Sequence, residues 1–234
     1  MRLGASVAIR SATSIIAVSR ELAAYVEERH GRRPDLIPNG VEPPGVAEPE
    51  SAILDRLGLG PDRYLLFLGR FVPEKRLESL VDAFRAVAPE GMKLVLGGDL
   101  SDAYARSVQE RARGSACVFP GVVEGEAKEA LLRNARMAVL PSSLEGNPIF
   151  LLEAMSRGVV CLASDLPPHR ALLGEGRGLV ASEDLAVALR EAMGLSESGR
   201  RQMAAKARAY VESHHSWDRV VEATEKVYEQ ALSS

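Results

Sequence analysis

Six short, uninterrupted apolar runs set the strongest limit on what this chain can fold into. They are YLLFLG (64–69), KLVLGG (93–98), ACVFPG (116–121), RMAVLP (136–141), VVCLAS (159–164) and GLVAS (178–182). Strands that are apolar on both faces belong in a parallel sheet covered on both sides. The segments between them carry a helical period. In EKRLESLVDAFRAVA, for example, Leu77, Leu80, Val81, Phe84 and Val87 recur three or four apart. Strand and helix alternating in this way predict an α/β fold, a doubly wound parallel sheet, over residues 61–198. Such sheets bind ligands outside the carboxyl ends of their strands. The loops after Gly69, Gly97, Pro120, Pro141 and Ser164 are therefore where chemistry is expected.

The flanks read differently. SIIAVS (14–19) reads as a strand, RELAAYVEERHG (20–31) as a helix stopped by Gly31, and DLIPNGV (35–41) as a short strand and turn. Residues 1–44 are too few for a core of their own and read as the tail of another domain. VEPPGVAEPES (41–51) opens a linker expected over 45–60. Residues 199–234 read as two helices, the second with Ser216 as its N-cap. Trp217, Val220, Val221, Thr224, Val227, Tyr228 and Leu232 form one apolar stripe on it, which needs a partner surface.

Charge and composition exclude several classes. A net charge of -3 gives no support to nucleic-acid or polybasic membrane binding. No stretch approaches the roughly 20 apolar residues of a membrane span, and the N-terminus is too weakly apolar for a secretory signal. Cys117 and Cys161 lie in apolar runs and read as reduced core thiols, and the four histidines form no metal-ligand spacing. No metal and no cofactor is expected. The cytoplasm is the expected compartment, including the inner face of the membrane as a peripheral location.

Three places on the ligand-binding edge carry candidate residues. In GRFVPEKR (69–76), Arg70 follows the strand end at Gly69, and Lys75 and Arg76 are read as opening the next helix. Cations at a helix N-terminus oppose its dipole. They suit an anion such as a diphosphate, or they form a solvated face paired with Glu74 and Glu78. In PSSLEGNPIFLLEAMSRG (141–158), Asn147 is a possible cap and Pro148 fits the first helical position. The N–H groups of Ile149 and Phe150 then form an anion site. Glu145 lies in the loop before, and Glu153 lies inside the apolar run. Glu153 either pairs with Arg157 at i,i+4 or accepts hydrogen bonds from vicinal hydroxyls, as an acidic residue does for ribose. LGGDL (96–100) is not a full dinucleotide fingerprint, and its glycines read as permitting close approach at the strand end. His169-Arg170, after SDLPP, is a further candidate, although one cation near a helix start is more often surface.

Taken together, IIAVS (15–19), IPNGV (37–41), LGRFVPEKR (68–76), FPGVV (119–123) and the 141–158 segment resemble, in order and spacing, the family-4 retaining glycosyltransferases of the GT-B fold. That resemblance implies the Rossmann-like C-terminal half of a GT-B enzyme, with residues 1–44 matching only the last strand and helix of an N-terminal acceptor domain. It implies that Arg70 and Lys75 hold the donor diphosphate. Glu153 would bind the ribose, and Glu145 would face the transferred sugar. Val122 would lie near the base, and the Ile149 and Phe150 N–H groups would meet phosphate and sugar. The implied reaction is metal-independent hexose transfer with retention, from a UDP-, GDP- or ADP-sugar to a sugar, lipid-linked or small-molecule acceptor. A separate N-terminal domain is an implied partner. Asn147-Pro148 stands where Phe-Gly is common, and His169-Arg170 where a small residue and a glutamate are common, so the resemblance stops short of the sugar's identity. The rival reading is a non-catalytic nucleotide-sugar- or protein-binding module.

Overall fold

The computed structural model describes residues 2–45, 52–87, 89–181 and 184–233. The first part holds helix α1 (Arg2–Ser11), strand β1 (Ile16–Ala17), helix α2 (Arg20–His30) and strand β2 (Asp35–Leu36), with β1 and β2 parallel. α2 stops at Gly31 as its sequence predicts, while Ser19, read as the end of a strand, is its N-cap. The Ser19 hydroxyl accepts from the Leu22 N–H at 3.2 Å, and Gly31 closes the helix at φ 63. α1 was not foreseen. Its C-terminal carbonyls are capped from a distance, where the Arg32 guanidinium takes up the carbonyls of Ile9, Arg10, Ala12 and Thr13.

Of the linker expected over 45–60, residues 46–51 lie outside the described residues. Residues 52–57 correct that expectation, because they form helix α3 (Ala52–Leu57). Ile53 and Leu54 are buried, so this turn of chain packs on the core rather than spanning solvent. The main body then runs β3 (Tyr64–Leu68), α4 (Leu77–Val87), β4 (Lys93–Gly97), α5 (Ala103–Arg111), β5 (Cys117–Val118), α6 (Gly125–Asn134), β6 (Met137–Leu140), α7 (Ile149–Ser156), β7 (Cys161–Ser164), α8 (Pro167–Leu173), β8 (Leu179–Ala181) and α9 (Leu185–Met193). Each of the six apolar runs contains one strand. All are parallel, in the order β5-β4-β3-β6-β7-β8.

β3 sits at the centre, with every residue buried. Tyr64 is admitted there because its hydroxyl donates to the Leu131 carbonyl at 2.6 Å, and burial pushes that phenol well above its usual range. α4 lays Leu77, Leu80, Val81 and Phe84 against the sheet. The chain steps outward from β3 to β5 and then returns to pair β6 with the other side of β3. The order reverses between β3 and β6, so the ligand crevice of such a sheet falls at the ends of those two strands.

Two helices close the chain, α10 (Glu197–His214) and α11 (Trp217–Leu232). Ser216 stands at the N-cap of α11, but its hydroxyl makes no capping bond; its backbone is engaged instead, in a bridge to Val41. The Val41 N–H donates to the His215 carbonyl at 2.9 Å, and the His215 Nδ1–H donates to the Asn39 carbonyl at 3.0 Å. The Trp217 ring covers Gly40, where a Cβ would lie 2.8 Å from it. IPNGV is thus clamped by the break between α10 and α11. Of the apolar stripe on α11, Val227 is buried, whereas Trp217, Val221, Tyr228 and Leu232 are exposed.

Backbone hydrogen bonds join the loops that follow β3, β4 and β5. The Gly69 N–H donates to Gly97 O at 3.0 Å, and the Gly98 N–H donates to Gly121 O at 2.9 Å. A Cβ on Gly98 would lie 2.0 Å from Gly69 O. The second glycine of LGGDL therefore serves backbone packing. Gly98→Ala forces these loops apart and is expected to lower unfolding free energy by about 1–3 kcal/mol or more, read by urea denaturation.

Candidate active site at the carboxyl edge of the sheet

The loops after β3 and β6 meet over the crevice. Lys75 ends a 3-10 turn (Pro73–Lys75), Arg76 follows at φ 51, and α4 begins only at Leu77. The expectation that Lys75 and Arg76 open a helix is corrected accordingly. The left-handed residue re-aims the chain and leaves Lys75 on the turn, facing the β6 loop. The two loops are also stitched by backbone, since the Ser143 N–H donates to Glu74 O at 2.8 Å.

Lys75 forms an ion pair with Glu145, not with Glu78, and both side chains are largely buried. Glu145 Oε1 also accepts from the Ser142 hydroxyl at 2.7 Å. Arg70 is exposed at the mouth and has no hydrogen-bond or ion-pair partner among the described residues. Gly69 beside it is exposed as well. Val122 projects from the loop after β5 and is 65% exposed.

α7 begins at Ile149, with Pro148 at the N-cap and no capping side chain. This corrects the expected cap. Asn147 turns away from the helix, and its Nδ2 donates to Val18 O in the first part of the chain at 3.0 Å, leaving its buried Oδ1 without a partner. The first turn stays open because the Ile149 and Phe150 N–H groups receive no acceptor among the described residues. The Phe150 side chain is core, against Phe67 with ring centroids 5.8 Å apart.

Glu153 does not pair with Arg157. It binds Lys128 of α6, with Nζ 2.5 Å from Oε1. Arg157 is held instead by Glu129 at 2.9 Å and by Glu42 O at 2.8 Å. Arg133 also binds Glu129, and these two guanidiniums keep its carboxyl low against the opposing effect of burial. His169 is not on the surface. It is fully buried on α8, with Nδ1–H donating to Ser164 O at 2.7 Å, while Arg170 beside it is exposed and pairs with Asp165. Among the described residues, no group of three or more His, Cys, Asp or Glu side chains is placed to hold a metal ion. No helix there is long and apolar enough to cross a membrane.

The family model described as "Glycosyl transferases group 1" matches residues 53–229. The chain belongs to this family. A Mycobacterium leprae phosphatidyl-myo-inositol mannosyltransferase is 31% identical over 228 residues, covering 94% of this chain and 59% of that protein. A putative teichuronic acid biosynthesis glycosyltransferase of Bacillus subtilis is 28% identical over 190 residues, covering 80% of this chain and 47% of its own length. This group 1 chain thus spans about half the length of these relatives. Among solved structures, sucrose-phosphate synthase from Thermosynechococcus elongatus superposes with a TM-score of 0.82 at 23% identity, over 99% of this chain and 61% of that one. Anabaena HepE, in complex with UDP and glucose, gives 0.84 at 19% identity, over 100% and 66%. These likenesses show a glycosyltransferase domain of GT-B type fold.

The sheet edge brings together Gly69, Arg70, Lys75, Glu145 and the open turn of α7, while Glu153 lies farther along α7 with Lys128. Sequence reading missed Lys128, Ser142 and Ser164. A lone lysine in a surface helix and serines at strand ends carry no spacing signal, and only the tertiary pairing shows what they touch.

Two buried histidines make the fold acid-sensitive. Burial lowers both His169 and His215 from the ordinary 6.5, against the opposing effect of their hydrogen bonds to Ser164 O and Asn39 O. The unfolded chain takes up these protons first as pH falls. Their contribution is therefore full above about 6.5 and is lost as pH drops through it to the lowered folded values. Thermal denaturation from about pH 7.5 to 5 should show a falling melting temperature, and replacing both residues by leucine should remove most of that slope.

Proposed function

We propose that this chain is the donor-binding half of a family-4 retaining glycosyltransferase, which transfers a hexose from a nucleotide sugar to an acceptor. One observation carries the reading. The Lys75–Glu145 pair sits at the point where the sheet order reverses, on the same carboxyl edge as Arg70, which has no partner among the described residues, and as the open first turn of α7. This is a preformed seat for a diphosphate with a carboxylate next to it.

In this reading Arg70, Lys75 and the Ile149 and Phe150 N–H groups take the diphosphate and stabilise it as it departs. Preorganised cations and dipoles do so without reorganisation cost at the moment of bond cleavage. Ligand binding draws Lys75 from Glu145 toward phosphate and frees the carboxylate to accept from sugar hydroxyls. Glu153 takes the ribose, which displaces or shares Lys128. Gly69 and Val122 border the phosphate and base ends, and Asn147 and Pro148 line the sugar end. Retention follows from front-face attack assisted by the leaving phosphate. No metal is required because cations and the helix dipole carry the charge. UDP, GDP and ADP sugars remain equal candidates.

Relatives include a phosphatidyl-myo-inositol mannosyltransferase and a GDP-mannose:cellobiosyl-diphosphopolyprenol alpha-mannosyltransferase. They favour a lipid-linked acceptor and a place in the cytoplasm at the inner face of a membrane. The free thiols of Cys117 and Cys161 agree with a reducing compartment. The exposed stripe of α11 favours a second reading, a binding module that offers this helix to a partner.

Differential scanning fluorimetry with UDP, GDP and ADP tests the donor site. One of them should raise the melting temperature, by the equivalent of about 2.7 kcal/mol at a hundred times Kd. Lys75→Ala should abolish the increment measured against its own ligand-free form, and Glu153→Ala should reduce it. No increment with any of the three counts against the reading.

A further inference from the structure

His169 is fully buried, yet its Nε2 has no hydrogen-bond partner among the described residues. An orphaned acceptor of this kind costs stability, and an apolar side chain would fill the space without that cost. What imidazole adds is the other nitrogen. The Ser164 carbonyl, 2.7 Å from Nδ1, only accepts, so Nδ1 carries the proton. The Ser164 hydroxyl lies 3.3 Å from the same nitrogen and spends its own hydrogen on Ser142 O. It therefore meets Nδ1–H as an acceptor too. Ser142 in turn donates its hydroxyl to Glu145 Oε1 at 2.7 Å, the oxygen that Lys75 holds. Ser142, the link between β7 and the crevice, is fully buried.

We propose that His169 is a positioning residue for Glu145. It locks Ser164, Ser164 locks the backbone at Ser142, and Ser142 fixes the carboxylate. A fixed Glu145 presents one orientation to the hydroxyls of the transferred sugar, so His169 tunes recognition of the sugar while leaving the nucleotide untouched. The sugar part of this inference rests on the donor-site reading above; the geometry of Glu145 does not.

Two measurements on the full chain separate the two. The first is the carboxyl signal of Glu145 in protein labelled with 13C-glutamate, assigned with Glu145→Gln. His169→Leu should shift it, His169→Asn, whose amide N–H reaches the same carbonyl, should return it toward the wild-type value, and Ser164→Ala should shift it as His169→Leu does. The second is calorimetric titration with UDP and GDP against UDP-glucose and GDP-mannose. His169→Leu should weaken the sugar nucleotide about tenfold more than the bare diphosphate, and His169→Asn should recover most of that loss. Equal weakening of both ligands, or a Glu145 signal unmoved by His169→Leu and Ser164→Ala alike, overturns the proposal. If wild type binds none of the four ligands, the donor-site reading falls, and the carboxyl signal alone decides whether His169 positions Glu145. If His169→Leu does not fold, Ser164→Ala cuts the same relay one link later and decides it.

Discussion

The pairing of β3 with β6 is the constraint on which the rest depends. Leu65 aligns with Met137 and Leu66 with Ala138, segments some seventy residues apart in the chain. Parallel pairing puts their carboxyl ends side by side, and with them the loops that carry Lys75 and Glu145. Every residue of β3 is buried, so both of its faces are held by close packing against neighbouring side chains, and a shifted strand would lose that fit. The crevice is therefore a product of the core, not of the loops. The loops supply charge at a position already decided by Leu65, Leu66, Phe67 and their neighbours.

The same edge is electrostatically self-satisfied. Lys75 answers Glu145 and Lys128 answers Glu153, so two carboxylates that would otherwise be desolvated alone have counter-ions. In the donor-site reading proposed above, a ligand would exchange partners here rather than meet bare charges. Arg70 is the exception among the candidate residues. It stands exposed at the mouth, where it can attract an anion before the inner pairs rearrange.

How much of this was legible in the sequence follows from the range of the interactions. The strands were readable because burial on both faces writes itself as continuous apolar runs. α2 was readable because its apolar period and its stop at Gly31 lie within its own segment. α1 was not, because the residue that closes it, Arg32, comes some twenty positions later, and α3 was hidden by proline-rich neighbours that look like solvent-exposed chain. At the site, Glu145, Glu153, Arg70 and Lys75 were named from motif and resemblance, but the partners that Glu145, Glu153 and Lys75 take were not. Helical spacing offered Arg157 to Glu153, whereas α6 supplied Lys128. It offered Asn147 as a cap, whereas that amide reaches the first part of the chain. His169 looked like surface because a cation near a helix start more often is, yet a single step along a helix separates a fully buried position from an open one.

The close contact of Gly98 with Gly69 O has a consequence for how this sheet edge can diversify. Three loops that share backbone hydrogen bonds cannot be redrawn one at a time, since lengthening or substituting one at its glycine pushes on the next. Novelty is therefore channelled elsewhere. The exposed side chains of Val122 and Leu144 can change without disturbing that seam. A chain of this kind would alter what it recognises by rewriting those positions, while the glycine-lined floor beneath them stays the same.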